Sequence, residues 1–335
     1  MRQSLRLLLL AIGLVVLVVL CRTLGLGELE RAVAGASPAK FALFLALSTG
    51  VFLVYATRWS VVLRAMNAPQ LPIATLLCFR ATEHAVSSLL PSAHLSGEPL
   101  RAFLLRRRGI DWTLAISSVT MDRVLDLSAS SIVGPVYVGI FFFANDRSSW
   151  AAPWAMAAML ACGAALAAFY YFAYRGGILL SIFARLPIFA PIRGSLGSID
   201  SNLAGFIRSP SFRLGLALSF LAEALVLAEL WTLSRAFHLS ISLPTLVGVM
   251  VGMGISQLLP VPAALGSLEA TEVGVLTLAG AGAPLGLAVG VLVRLRETLW
   301  ILVGLIGLYL EGLSWRTAES AVTSNASISA RSLNP

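Results

Sequence analysis

Leu89-Leu90-Pro91, then Glu98, then Arg123-x-x-Asp126 is a pattern that this chain carries twice. The second copy reads Leu258-Leu259-Pro260, then Glu269, then Arg294-x-x-Glu297. In both copies 25 residues separate the glutamate from the arginine, and three separate the arginine from the next acid. Ionisable groups are costly in a bilayer. A set of them recurring at fixed spacing points to a membrane site built from two related halves.

The surroundings of the pattern are apolar. Of 335 residues, 58% are hydrophobic and 12% charged, and the mean hydropathy is +0.88. Average soluble domains carry about 25% charged residues, so the chain reads as an all-α polytopic membrane protein. Apolar runs of about 20 residues mark spans near 5–24, 40–58, 112–143, 150–174, 213–236 and 285–311. The first extends the run from Leu8 to Leu20. It lacks the small-residue cleavage site of a signal peptide and reads as a retained helix. Two other stretches behave differently. Ile73–Leu90 is interrupted by Arg80, Glu83 and His84 and broken at Pro91 and Pro99. Pro244–Leu259 ends in Pro260-Val261-Pro262 and is followed by a short apolar piece, Ser267–Ala283. Prolines between short apolar pieces indicate broken or re-entrant helices, which survive at membrane depth only where protein or a watery cavity covers them. The expected architecture is six full spans plus two re-entrant or broken helix pairs, with eight shorter spans as the alternative.

Arginine counts orient the chain. With the N-terminus in the cytoplasm, Arg58 and Arg64, Arg101–Arg108, Arg175–Arg213 and Arg316 all fall on the cytoplasmic side. This rule also accounts for the formal charge of +8 and the pI of about 10.1, so nucleic-acid binding is not inferred. Three full spans separate the two re-entrant pieces. The halves, about 40–145 and 211–312, therefore form an inverted repeat within one integral membrane domain, 1–315. Gly194–Ser209 reads as a polar cytoplasmic linker and 316–335 as a disordered cytoplasmic tail. Cys21, Cys78 and Cys162 stand singly, as do His84, His94 and His238, so neither a disulfide framework, a metal site nor a cofactor is expected.

Arg294 lies about ten residues into its span, or roughly 15 Å at 1.5 Å per residue; Arg123 lies about 18 Å past Asp111 by the same rise. Both reach the middle of a hydrocarbon core about 30 Å thick. Arg123 shares a helix face with Asp126, and Arg294 with Glu297; Asp122 sits one turn before Asp126. One reading makes these ion pairs that hold helices in register. The other makes Arg123 and Arg294 receive an anionic headgroup in one shared polar cavity, since the guanidinium fork matches phosphate. Glu98 and Glu269 each follow a proline-broken turn. They either cap short helices or close ion pairs with the two arginines and release them to substrate. Gln257 reads as a helix bridge or a headgroup donor. Arg58-Trp59 reads as an interfacial pair, and Gly248–Gly254 as a close packing face.

The stretch Leu90-Pro91, Gly97-Glu98-Pro99-Leu100-Arg101, Arg106-Arg107-Arg108-Gly109 and Met121-Asp122-Arg123-Val124-Leu125-Asp126 resembles the lysylphosphatidylglycerol synthase transmembrane family, as does Leu259-Pro260 through Leu265-Gly266-Ser267-Leu268-Glu269. The resemblance covers roughly residues 5–312. Within the family the chain is most similar to the hopanoid-associated membrane proteins called HpnL. The resemblance implies a lipid flippase domain. It also marks Glu98, Arg101, Arg123, Asp126 and Glu269 as site residues. The soluble aminoacyl-transferase domain of the best-known members has no counterpart here, so lysine transfer does not carry over. The expectation is a non-enzymatic translocase of the inner cell membrane, moving an anionic or polyprenyl- or hopanoid-related lipid between leaflets. The alternatives are an accessory subunit beside lipid-biosynthesis enzymes, or a membrane transferase using Asp122 and Asp126.

Overall fold

A computed structural model of the chain describes residues 37–90, 97–144, 151–175, 193–258, 261 and 264–312. The expected first span, the prolines at 91, 260 and 262 and the tail 316–335 lie outside the described residues. Ten α-helices make up the described chain. They are α1 (Pro38–Ala65), α2 (Ile73–Leu89), α3 (Gly97–Arg107), α4 (Trp112–Ala144), α5 (Ala151–Arg175), α6 (Arg193–Arg208), α7 (Ser211–Ala236), α8 (Leu243–Leu258), α9 (Ser267–Leu278) and α10 (Ala283–Leu310). Helices α1, α4 and α7 are long and apolar enough to cross a membrane. Helix α10 matches them in length, at 28 residues, but carries Arg294, Arg296 and Glu297 at mid-height.

Two sets of four helices share one order: long, short, short, long. They are α1–α4 and α7–α10. The packing repeats as well. Helix α2 packs on α10 of the other set, and α8 on α4; α3 packs on α4, and α9 on α10. The equivalent long helices α1 and α7 lie along each other in opposite directions. At one end Ser37 N donates to Ala236 O (2.8 Å), and further along α1, Arg58 Nη1 donates to Ser219 Oγ (3.0 Å). Equivalent helices that touch antiparallel are related by an axis across the helices, which is the geometry of an inverted repeat.

Each short pair is a hairpin that returns to its starting end. In the first set Gly97 N donates to Ser87 Oγ (2.9 Å) where α2 hands over to α3. Both open ends meet the end of α10: Cys78 lies against Gly307, and Arg108 Nη2 donates to Glu311 Oε1 (2.7 Å). Among the described residues the short helices α2 and α3 thus pair as a hairpin of the kind expected for a broken or re-entrant piece. At the start of α4, Asp111 caps the helix by accepting from Thr113 N (2.9 Å). The Thr113 hydroxyl, together with backbone donors, holds the Asp111 carboxyl below its ordinary range. The expected linker Gly194–Ser209 is instead largely helix α6. Ile199, Leu203 and Phe206 fall at helical spacing, are buried, and pack with Met121 and Leu125 of α4. Its outward residues made it read as polar.

Candidate functional site

Helix α4 brings Asp122, Arg123 and Asp126 to the middle of the molecule, and three neighbours supply arginines to Asp122. Arg58 of α1 donates from Nε to Asp122 Oδ1 (2.8 Å) and from Nη1 to Asp126 Oδ1 (2.9 Å). Arg101 of α3 donates from Nη2 to Asp122 Oδ2 (2.8 Å), and Arg80 of α2 reaches the same oxygen at 3.3 Å. Arg80 also donates to Glu83 (2.9 Å). Arg58 and Asp122 are fully buried, and Arg101 lies 3.9 Å over the ring of Trp59. Arg58-Trp59, expected at a membrane boundary, is therefore interior. Its charge is neutralised by carboxylates, as buried charge requires.

The second half builds the same kind of joint with opposite signs. The displacement that carries Glu98 onto Glu269 and Arg123 onto Arg294 also carries Arg58 onto Glu229 and Asp126 onto Glu297. Glu229 of α7 is fully buried and accepts from Arg296 Nε of α10 (2.7 Å). Arg296 Nη1 donates to Glu297 Oε1 (2.7 Å), whose other oxygen lies 3.0 Å from His84 Nε2. Where the first half places an arginine on its leading helix, the second places a glutamate.

Each re-entrant hairpin aims the N-terminus of its second helix at mid-height, where the dipole favours an anion. Glu98 stands in the first turn of α3 and Glu269 in the first turn of α9. Glu98 Oε1 lies 3.2 Å from Arg123 Nε, without the alignment of a hydrogen bond. Arg123 Nη1 is 3.6 Å from Asp126 Oδ2, and the arginine remains one-third exposed. The counterpart is tighter. Arg294 grips Glu269 with two donors, Nε to Oε1 (3.0 Å) and Nη2 to Oε2 (3.0 Å), and Nη2 also donates to Ala264 O (2.9 Å). Glu269 Oε2 further accepts from Gly266 N (3.0 Å), closing the start of α9. One pair is loose and open, its repeat partner locked.

Between the halves lies a cavity of about 240 Å³. Arg80, Arg123 and Arg296 face it together with Glu83, Asp126, Glu223 and Glu297. Glu223 accepts from Ser130 Oγ (2.5 Å). A second pocket of about 20 Å³ touches Arg294. Gln257 and Glu297 belong to the walls of both. Since a water needs ~10–15 Å³, the smaller pocket admits a single water and the larger one many. Arg123 and Arg294 thus occupy adjoining spaces rather than one shared cavity. Arg101 and Asp122 lie behind the cavity wall, tied to each other. Glu98 and Glu269 stand beside their arginines, and Gln257 marks the junction.

Sequence reasoning missed Arg58, Glu223 and Glu229, and passed over Arg80, Glu83 and His84 as interruptions of a helix. The signal that finds Arg58 and Glu229 is their equivalence under the repeat, charge against opposite charge.

A model of the family described as the lysylphosphatidylglycerol synthase TM region matches residues 6–317. Two proteins of Methanothermobacter thermautotrophicus (strain Delta H), each described as a UPF0104 membrane protein, are similar along most of their length. One is 27% identical over 310 residues, covering 85% of this chain and 86% of the relative. The other is 24% identical over 313 residues, covering 86% and 89%. The family match takes in both hairpins, both arginine–glutamate pairs and the cavity between them, and the chain belongs to the lysylphosphatidylglycerol synthase transmembrane-region family of integral membrane proteins.

Proposed function

We propose that this chain is a lipid translocase of the cytoplasmic membrane, with both termini cytoplasmic, that passes a headgroup through the cavity while the tails stay in lipid. The observation that carries the reading is the pair of glutamate–arginine contacts at mid-height, one loose and one locked, on either side of a polar cavity between inverted repeats. An anionic group on the headgroup displaces Glu98 from Arg123, whose guanidinium is already partly free to the cavity. Passage towards Arg294 along Gln257 and Glu297 then unlocks Glu269, and the emptied arginine recovers its carboxylate. Each glutamate is a built-in competitor that resets its arginine. Asp126 and Glu297 set the charge of the wall, and Arg101 holds Asp122 and with it α4.

A transferase would need Asp122 free for a metal or a proton. Its two oxygens already receive three arginines, which favours transport over catalysis. The subgroup resemblance supports a polyprenyl- or hopanoid-related lipid as cargo and lipid-biosynthesis enzymes as neighbours. The test is leaflet-resolved translocation of a fluorescent phosphatidylglycerol in proteoliposomes. Arg294→Ala and Arg123→Ala are expected to abolish movement while expression and folding persist. Wild-type rates in both variants overturn the mechanism. A wild type that leaves every leaflet distribution unchanged supports the accessory-subunit reading instead.

A further inference from the structure

Glu272 plays no part in the ion pairs described above. It lies one turn beyond Glu269 on α9, is fully buried, and neither side-chain oxygen has a hydrogen-bond partner among the described residues. Among the described residues, α8 and α10 pack against it. On α8 the chain leaves room at Gly252, where an added Cβ would stand 3.0 Å from Glu272 Oε1. On α10 the backbone closes at Gly286, whose added Cβ would stand 2.8 Å from Glu272 O. Helix α8 has no ionisable residue. On α10 the ionisable groups nearest Gly286 are Arg294, Arg296 and Glu297, the first of them eight residues further along. Arg294 is held by Glu269 and Ala264, Arg296 by Glu229 and Glu297, and Glu297 is also in contact with His84. On α9 itself Glu269 is the other acid, and both its oxygens are engaged by Arg294 and Gly266.

An ionised carboxylate with neither water nor a donor is the most expensive group a protein interior can hold, whereas the neutral acid costs far less. A metal cation would not solve the problem. Calcium-like ions need about six oxygens, and no group of three or more acidic, histidine or cysteine ligands occurs among the described residues. A proton needs one oxygen. We propose that Glu272 is the proton-carrying site of the transport cycle, loaded while α8 and α10 pack against it as here and emptied when the α8–α9 hairpin opens.

The proposal rests on the translocase reading and supplies its driving force. With Arg294 locked on Glu269, the Glu269–Glu272 pair carries one arginine and one proton. When a headgroup phosphate draws Arg294 away, the hairpin loosens and water reaches the pair. The Glu272 O–H bond then breaks, its proton passes to that water, and the electron pair stays on the carboxylate. Reclosing desolvates Glu272, which takes one proton from hydronium on the side then open and leaves a water molecule behind.

The test uses the full chain, wild type and Glu272→Gln, reconstituted into vesicles of phosphatidylethanolamine and phosphatidylglycerol. Glutamine keeps the shape of the neutral acid, and coincident thermal unfolding checks that it folds. Infrared spectra at neutral pH are expected to show a protonated-carboxyl C=O band in the wild type that the variant lacks. Translocation of fluorescent phosphatidylglycerol is expected to accelerate under an imposed pH gradient in the wild type and to lose that acceleration in Glu272→Gln. A carboxyl band unchanged in the variant overturns the proton site. Equal gradient dependence in both proteins overturns its coupling role. A wild type that moves no probe lipid with or without a gradient overturns the translocase reading, and the infrared band still decides whether Glu272 holds a proton.

Discussion

Asp122 shows how much one side chain organises. Its carboxylate takes Arg58 from α1, Arg80 from α2 and Arg101 from α3, so a single residue of α4 ties four helices. Burying these charges is tolerable only because they neutralise one another; removing one partner strands the rest. Asp122→Asn keeps the shape and removes the charge. It is expected to cost about 3–5 kcal/mol. The loss would be read as a lowered thermal midpoint and loss of monodisperse protein in detergent. An unchanged midpoint would mean the cluster is not structural. Asp122 and Asp126 were legible as a polar face, but Arg58 was not. Beside Trp59 near the end of an apolar run, an arginine has the local appearance of an interfacial residue. Its partner lies 64 positions away, and only packing reveals the pair.

At the scale of elements, the two hairpins and the close seam between α2 and α10 decide where the site sits. The seam depends on Gly304 and Gly307. A Cβ on Gly304 would overlap Ala81 O, and one on Gly307 would stand 2.7 Å from Thr82 Oγ1. Gly304→Ala must therefore push α2 and α10 apart, at a cost of about 1–3 kcal/mol. Gly163→Ala on α5 meets nothing within 4 Å and serves as the control. Thermal unfolding in detergent separates the two, and equal midpoints would deny the seam its role. The breaks between the short helices were readable, because prolines between short apolar pieces point to broken helices, with eight shorter spans as the alternative. Helix α6 was not: Ile199, Leu203, Ala204 and Phe206, set among polar residues, read as a linker until α4 is there to cover them.

For the molecule as a whole, the inverted repeat makes a claim about sides. The turn after α3 and the turn after α9 are equivalent positions and must face opposite ways. In a cysteine-free background, Arg106→Cys and Ala281→Cys, both at exposed residues, are expected to react with a membrane-impermeant maleimide from opposite faces of oriented vesicles. Labelling from one common face would end the inverted-repeat description. The sequence alone determined that the chain is an all-helical membrane protein, that it contains two copies of one unit, and which family it resembles. These follow from composition, apolar run length and spacing, which are one-dimensional and set by the thickness and dielectric of the bilayer. Only the tertiary structure decided which charges meet. It placed Arg123 and Arg294 in adjoining spaces, left one glutamate–arginine pair loose and locked the other, and enclosed Glu272 with no partner among the described residues. Pairing energies at membrane depth depend on distances of a few ångströms between residues far apart in the chain, and spacing along a sequence does not encode them.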